Sequence, residues 1–315
     1  MTNAFLFPGQ GSQFIGMGKK LAETFPIARE VFEEVDEALN ESLSSIIWSG
    51  ELDELTLTKN AQPAIMAVSI AVFRSLISRG LNLDKISVLA GHSLGEYSAF
   101  CASGVFSLSD TANILRKRGL AMQKAVPLGK GAMAAILGLT SSKVSDLLKQ
   151  GRFDLKKVQI ANDNDPSQVV ISGEKGSVEQ FSKFLKDNGA RKIIALPVSA
   201  PFHSHLMLQA AIEMESTLEE IEFSNPKIPI VLNVNLETLE TKDRAQQSLI
   251  NQITGTVRWR ESLIVMNENK GVDNFYEIGP GKVLVGTVKR TLKDVRTFSA
   301  CELEDIDRMI EVINV

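Results

Sequence analysis

Short apolar runs alternate with amphipathic stretches through the first third of the chain. The runs Met1–Pro8 and Ile86–Ala90 each predict a buried strand. Between them, apolar residues recur at helical spacing in Ile27–Leu43 and in Ala64–Leu81, and a further helix is expected from Leu94 onward. Strands that alternate with helices in this way are typical of an α/β domain with a mainly parallel sheet.

Single residues mark some ends of the predicted helices. Pro63 suits the first turn of the helix that follows it, and Gly80 suits the end of that helix. Farther along, Ser141 or Ser142 is expected to cap the start of one helix, and Gly189 is expected to follow the end of another.

The middle of the chain has a different pattern, with the order β-α-β-β-α-β. The predicted elements are strand Ala132–Leu139, helix Ser141–Gln150, strands Lys157–Ala161 and Gln168–Ser172, helix Ser177–Asn188 and strand Arg191–Val198. The polar cluster Asn162–Pro166 predicts a turn between the second and third strands. This order is that of a ferredoxin-like unit. We therefore predict a small subdomain at 128–199, inserted into a larger α/β core formed by 1–127 and 200–315.

Composition fits a soluble globular enzyme. The net charge of −4 lacks the basic excess of a nucleic-acid binder. Cys101 and Cys301, the two cysteines, lie far apart, so neither a disulfide framework nor a metal site is expected. No apolar run approaches the length of about 18–20 residues that spans a bilayer, and the N-terminus lacks a secretory signal pattern. We therefore predict a cytoplasmic protein without membrane contact.

Charge is divided unevenly between the two predicted units. The segment 128–199 holds 11 basic and 7 acidic residues, whereas the remainder holds 23 and 31. A basic insert on an acidic body would attract a phosphate-bearing or acidic partner. The alternative is that the lysines of the insert only keep its helices soluble.

The motif Gly91-His92-Ser93-Leu94-Gly95 carries the clearest chemical signal. It joins a predicted strand to a predicted helix, as a nucleophile elbow does. The glycines permit a tight turn that exposes Ser93, and the N–H of Leu94 would point towards a developing oxyanion at the start of the helix. The alternative is a glycine-rich turn that merely joins the two elements.

A serine nucleophile needs a base, and the chain has three histidines. His92 adjoins Ser93, and neighbours in an elbow point apart. His203 and His205 lie in one loop, and one of them is expected to be the general base. Their spacing in the sequence does not decide which one. The alternative for either is a structural histidine.

Two further features would complete such a site. The turn at Pro8–Gln13 offers the N–H of Gln10 as a second oxyanion donor, although its glycine spacing does not match a phosphate-binding loop. Arg116 and Arg118 are expected far along the helix that begins at the elbow, where a guanidinium would clamp a substrate carboxylate. The alternatives are a simple turn into a helix and surface arginines.

Taken together, these motifs resemble the malonyl-CoA:acyl carrier protein transacylases of fatty acid synthesis, and they are similar to the acyltransferase domains of polyketide synthases. The resemblance covers nearly the whole chain and includes Ala61–Ala64, Gly131–Ala135, Leu196–Ser199 and Glu277–Leu284. It implies an α/β-hydrolase-like core with a mainly parallel sheet and an inserted ferredoxin-like subdomain. A free-standing chain favours fatty acid synthesis over a polyketide pathway.

The resemblance implies five catalytic residues. Ser93 would attack the thioester of malonyl-CoA and form a malonyl ester. His203 would be the general base, oriented by the backbone carbonyl of Gln252, and the N–H groups of Gln10 and Leu94 would form the oxyanion hole. Many relatives have a proline before the position of Val257, where this chain has Gly255-Thr256.

It also implies the substrate-binding residues and partners. Arg118 would pair with the malonyl carboxylate, and Phe202, His92 and Gln10 would line the site. The bulk of Phe202 would select malonyl over methylmalonyl groups, a discrimination typically worth about 1–3 kcal/mol. The malonyl group would pass from malonyl-CoA to the phosphopantetheine thiol of acyl carrier protein, with no metal or organic cofactor.

Two other functions compete with this one. A serine hydrolase would use the same nucleophile with water in place of the carrier thiol. A catalytically silent subunit would bind the acyl carrier without needing Ser93 at all. Substitution of Ser93 by alanine separates the silent subunit from the two enzymes.

Overall fold

The computed structural model describes residues 2–198 and 200–314, so Met1, Ser199 and Val315, which are ends of predicted segments, lie outside it. The strands in these ranges are Asn3–Phe7 (β1), Ile86–Gly91 (β2), Gly131–Leu137 (β3), Val158–Asp165 (β4), Gln168–Glu174 (β5), Lys192–Ala195 (β6), Ile230–Val231 (β7), Thr238–Leu239 (β8), Asn274–Ile278 (β9) and Arg296–Ala300 (β10). The α-helices there are Lys19–Thr24 (α1), Pro26–Leu39 (α2), Leu43–Ser49 (α3), Leu52–Thr56 (α4), Thr58–Ser78 (α5), Leu94–Ala102 (α6), Leu108–Lys124 (α7), Ser141–Gln150 (α8), Lys175–Asp187 (α9), Leu208–Glu219 (α10), Ala245–Thr254 (α11), Trp259–Ile264 (α12), Val283–Thr291 (α13) and Leu303–Asn314 (α14).

Strand β1 lies near the middle of a six-stranded sheet with the order β10-β9-β1-β2-β7-β8. Its pairings with β2 and β9 are parallel, and β8 alone runs antiparallel to its neighbour in this sheet. Phe5 and Phe7 join the core on one face, whereas Ala4 and Leu6 join the core on the other. Because both faces are covered, the strand is apolar from Ala4 to Phe7, as is typical of parallel sheets. The predicted parallel α/β core is confirmed.

A second sheet is fully antiparallel, with the order β4-β5-β3-β6. Helices α8 and α9 pack against it around a separate core that includes Ile136, Leu147 and Phe181. The order β-α-β-β-α-β gives the predicted ferredoxin-like unit. Its limits at 128 and 199 stay a prediction.

The predicted turn at Asn162–Pro166 is wrong for most of its length, because β4 continues to Asp165. Long-range contacts explain this. Asn162 forms a parallel bridge with Val257, and the Asp163 carboxylate pairs with Arg260 at 2.9 Å. The buried Asp165 carboxylate likewise accepts from Arg290 at 2.7 Å. These contacts fix the insert to the core and hold polar residues in an extended strand.

Three predicted helix ends also differ from the structure. Helix α5 begins at Thr58, so Pro63 lies inside it rather than in its first turn. The first turn of α5 packs closely against α7, since a Cβ atom on Gly119 of α7 would lie only 2.6 Å from the Lys59 Cα. Thr140, rather than Ser141 or Ser142, caps α8. Helix α2 ends before Asn40, whose φ is 50°, and so stops short of the predicted end at Leu43.

Helix α5 is also long and apolar enough to cross a membrane by length and composition, which corrects the expectation that no run approaches that length. However, 83% of its most apolar stretch is buried inside the structure. This burial is what a central core helix of a folded domain requires.

Candidate active site

Ser93 lies at the sharp turn between β2 and α6. Its φ of 54° and ψ of −108° fall outside the regions that most residues adopt. The turn is closed by two glycines: a Cβ on Gly91 would lie 1.9 Å from the Gly95 carbonyl oxygen, and a Cβ on Gly95 would lie 2.1 Å from that of Phe7. The predicted strand–turn–helix arrangement around Ser93 is therefore present.

Substitution of Gly95 by alanine should distort this turn. The new Cβ would meet backbone that has no room to move, so we expect the free energy of unfolding to fall by about 3 kcal/mol or more. Gly176→Ala is the matched control, because a Cβ there has no neighbour within 4 Å and its effect should stay below about 1 kcal/mol. Urea unfolding of both variants measures the difference. Equal stabilities would contradict the steric argument.

Asn233, which no sequence motif indicated, holds the elbow from a position just beyond the neighbouring strand β7. Its Oδ1 accepts from the Ser93 N–H at 2.9 Å, and its Nδ2 donates to the Gly91 carbonyl at 2.7 Å. The Asn233 N–H donates to the buried Glu96 carboxyl, and burial raises the pKa of that group to about 8. Strand β7 pairs with β2, which leads into the elbow. The polar side chain that follows the short apolar strand β7 is the one feature of the sequence that could have indicated this contact.

His203 is the histidine that reaches Ser93. Its Nε2 lies 2.7 Å from the Ser93 Oγ, and its Nδ1 lies 2.8 Å from the Gln252 carbonyl oxygen. A carbonyl oxygen only accepts, so Nδ1 carries the proton and Nε2 is free to accept from the serine hydroxyl. Burial, and then the charge of Arg118, lower the pKa of His203 to about 3. His205 is exposed.

Arg118 is a buried cation with neutral partners. Its Nη1 donates to the Gln62 Oε1 at 2.6 Å, and its Nη2 donates to the Gln252 Oε1 at 2.9 Å and the Ser93 Oγ at 3.1 Å. The guanidinium also lies 5.1 Å from the centre of the Tyr97 ring. The side chains that accept its hydrogen bonds are neutral, and the Glu96 carboxyl, which acts on the guanidinium through its charge, is itself disfavoured as an anion by burial. An anionic ligand would therefore be stabilised here.

Gln62 is one of the two glutamines that accept from Arg118. The sequence gave no indication of this contact. Gln62 lies within the Ala61–Ala64 motif, but the motif alone gave no contact. Arg116, by contrast, pairs with Glu41 and Asn60. The helix that begins at the elbow, α6, ends at Ala102, so the expected placement of both arginines on it is wrong, and they lie on the next helix, α7. Of the two arginines, Arg118 lines the cavity beside Ser93.

A cavity of about 250 Å³ opens over the serine and the histidine. Gln10, His92, Leu94 and Phe202 line it. The insert supplies the opposite wall through Met133, Asn162, Leu196, Pro197 and Val198. Gln252 lies behind the histidine, where its Nε2 donates to the Ser93 carbonyl at 3.0 Å. The cavity is therefore a cleft between core and insert.

His92 lines this cavity but is turned away from the reacting pair. Its Nε2 lies 2.9 Å from the Asn164 Oδ1, and its ring packs edge-on against Trp259 with a centroid separation of 5.7 Å. Burial lowers its pKa. The insert thus contacts the elbow directly through Asn164.

The class of the protein follows from comparison with known families. Residues 4–308 match the family described as "Acyl transferase domain", and the chain belongs to that family. It is therefore an acyltransferase, and its apolar cleft with a few convergent polar groups is typical of a small-molecule site.

The relatives narrow the class to malonyl CoA-acyl carrier protein transacylases. A protein of that name from Bacillus subtilis (strain 168) is 44% identical over 310 residues, which cover 98% of this chain and 96% of the relative. The crystal structure of an acyl-carrier-protein S-malonyltransferase from Bartonella henselae superposes with a TM-score of 0.96, 49% identity and full coverage of both chains. A malonyl-transacylase solved in complex with a type II PKS acyl-carrier protein superposes at 0.95, with 36% identity and coverage of 99% and 100%.

Proposed function

We propose that this chain transfers a malonyl group from malonyl-CoA to the phosphopantetheine thiol of acyl carrier protein, through a malonyl ester on Ser93. The product would feed fatty acid synthesis. The observation that carries the proposal is the linked pair of contacts from the Ser93 Oγ to His203 and from His203 to the Gln252 carbonyl, at 2.7 and 2.8 Å.

The first half-reaction acylates the serine. His203 Nε2 takes the proton of the Ser93 hydroxyl as the oxygen attacks the thioester carbonyl. The N–H groups of Gln10 and Leu94 would stabilise the oxyanion, helped by the positive end of α6. The carbon–sulfur bond then breaks, and the imidazolium returns its proton to the CoA thiolate.

The second half-reaction reverses these roles. The carrier thiol attacks the malonyl ester, His203 removes the thiol proton, and the released Ser93 oxygen takes it back. The Gln252 carbonyl accepts from the histidine Nδ1–H throughout and holds one tautomer, the task that a carboxylate performs in many serine enzymes. These steps use only side chains and backbone groups of the chain, its substrate and the carrier.

Arg118 would bind the free carboxylate of the malonyl group. Its Nη2 lies 3.1 Å from the Ser93 Oγ, so the carboxylate at the end of a short acyl chain on that oxygen would lie within reach of the guanidinium. A planar guanidinium can hold a carboxylate with two parallel hydrogen bonds. Phe202, which is 8% exposed in the cavity wall, would limit space for a methyl branch.

Intact-protein mass spectrometry tests the proposal. After brief exposure to malonyl-CoA we expect one malonyl adduct, absent from Ser93→Ala and lost when phosphopantetheinylated carrier protein is added, with a matching gain on the carrier. An adduct lost to water in the presence of carrier would indicate the hydrolase instead. A folded chain without any adduct would refute malonyl transfer.

The low pKa of His203 predicts an acylation rate that is insensitive to pH. The base works when neutral, and it is neutral above its pKa of about 3. The single-turnover rate of malonylation should therefore change less than about twofold between about pH 7 and pH 5, a range in which Glu96, with a pKa of about 8, stays mostly protonated. A histidine with the usual pKa of about 6.5 would become protonated in this range. Stopped reactions analysed by mass spectrometry measure it. A fall centred near pH 6.5 would contradict the argument.

The charge of the insert predicts how salt affects the second half-reaction. Its excess of 11 basic over 7 acidic residues would help to attract CoA phosphates or an acidic carrier protein. We expect kcat/KM for the carrier to fall about tenfold between about 20 mM and 300 mM NaCl, with kcat little changed. A rate independent of salt would assign the lysines to solubility alone.

A further inference from the structure

The side chain of Gln159 reaches from strand β4 of the insert to the segment that carries the histidine. Its Oε1 accepts from the His205 N–H at 2.9 Å, and its Nε2 lies 3.3 Å from the His203 carbonyl oxygen. The same Nε2 lies 3.2 Å from the carbonyl oxygen of Thr254. One amide group therefore contacts three backbone groups that belong to two separate segments.

Both segments orient the imidazole. His203 itself has a φ of 54°, a conformation that costs energy for a residue with a side chain and persists only when its surroundings hold it. Thr254 is the last residue of α11, two positions after Gln252, whose carbonyl accepts from the His203 Nδ1. Carbonyls at a helix end lack partners within the helix, and Gln159 supplies one.

We propose that Gln159 is a positioning residue: it ties the histidine turn to the end of α11 and so keeps the His203 Nε2 in line with the Ser93 Oγ. This inference rests on the proposed roles of Ser93 and His203. Because catalytic efficiency depends on alignment within a fraction of an ångström, an amide that holds both supports of the ring controls the rate without touching the substrate.

The strand that carries Gln159 is itself firmly held. The Val257 N–H donates to the Ala161 carbonyl at 2.9 Å, the Asp163 N–H donates to the Val257 carbonyl at 2.9 Å, and the Thr256 hydroxyl donates to the Ile160 carbonyl at 2.6 Å. Gln159 precedes these bonded positions on the same strand. The insert therefore provides a fixed support from which this amide reaches the catalytic histidine.

Two variants test the proposal. Gln159→Ala removes all three contacts, and Gln159→Glu keeps the shape but places a carboxylate against two carbonyl oxygens. We expect single-turnover malonylation of Ser93 to slow about 10- to 100-fold in both variants at pH 8, with KM for malonyl-CoA changed less than about threefold. Gln180→Glu, an exposed glutamine on α9, is the matched control and should keep the original rate.

The pH dependence of Gln159→Glu separates positioning from a structural defect. At about pH 5 a larger share of this carboxyl is protonated and can donate again, while His203 stays neutral. The rate of the variant relative to the unaltered chain should therefore rise as pH falls from 8 to 5, whereas the ratio for Gln159→Ala should stay flat. A flat ratio for both variants, rates within twofold of the original, or a loss confined to KM would overturn the proposal.

A second readout does not depend on the acyl donor. Labelling of Ser93 by a fluorophosphonate requires an activated serine but no malonyl group. We expect both Gln159 variants to label about 10- to 100-fold more slowly than the unaltered chain and Gln180→Glu. If the unaltered chain labels rapidly but takes no malonyl group, the proposed transfer fails, and the labelling rates still decide the role of Gln159. Equal labelling rates would overturn that role.

Discussion

His203→Ala is expected to slow formation of the malonyl adduct by about 10³-fold or more. General-base catalysis supplies about 10²–10⁴-fold, and in this site the loss of the ring also leaves the Gln252 carbonyl without its donor. Without the imidazole, the Ser93 hydroxyl keeps its proton near neutral pH and is a poor nucleophile. Single-turnover mass spectrometry with malonyl-CoA measures the rate.

The chain contains its own control for this variant. His205 lies two residues away, is exposed, and contacts Gln159 through its backbone N–H rather than its ring. His205→Ala should therefore malonylate within about twofold of the original rate. Should His205→Ala prove as slow as His203→Ala, or should both remain fast, the base would have to be sought elsewhere.

Arg118→Ala is expected to abolish the preference for malonyl over acetyl groups. Loss of one partner of a buried charged pair costs about 2–5 kcal/mol, so kcat/KM for malonyl-CoA should fall at least about 30-fold. Acetyl-CoA has no carboxylate to lose, so its kcat/KM should fall much less, only by the effect of losing the Arg118 contact to the Ser93 Oγ. The ratio of the two values, measured by transfer to carrier protein, reports the selectivity directly.

Two further arginine variants sharpen this test. Arg118→Lys keeps the charge but not the planar pair of donors, so it should retain part of the preference. Arg116→Ala removes an arginine of the same helix that pairs with Glu41 and Asn60, so it should affect stability and leave the ratio unchanged. A malonyl preference that survives in Arg118→Ala would exclude the guanidinium as the carboxylate site.

Local signals in the sequence were enough to predict the elbow. Its glycines are needed for contacts within a few residues and with β1, so their spacing reveals the turn. Local signals were not enough to choose between His203 and His205 as the general base. Both lie in one loop, and what distinguishes them is burial beneath Gln252, a contact across 49 positions that no local pattern encodes.

The same reasoning explains the wrong turn at Asn162–Pro166. Asparagine and aspartate favour turns when only their neighbours are considered. Here the partners of Asp163 and Asp165 are Arg260 and Arg290, which lie 97 and 125 positions away and override that preference. Asn233 and Gln62 were missed for a related reason, since their roles are hydrogen bonds to distant backbone or guanidinium groups.

The central place of β1 in the sheet has a consequence for synthesis on the ribosome. One edge of β1 can pair with β2 once residue 91 has emerged, but its other edge must wait for β9, which begins at Asn274. At roughly 5–20 residues per second, that wait lasts roughly 10–40 s. During this time a nascent chain presents an open apolar strand edge, which is the kind of surface that chaperones cover.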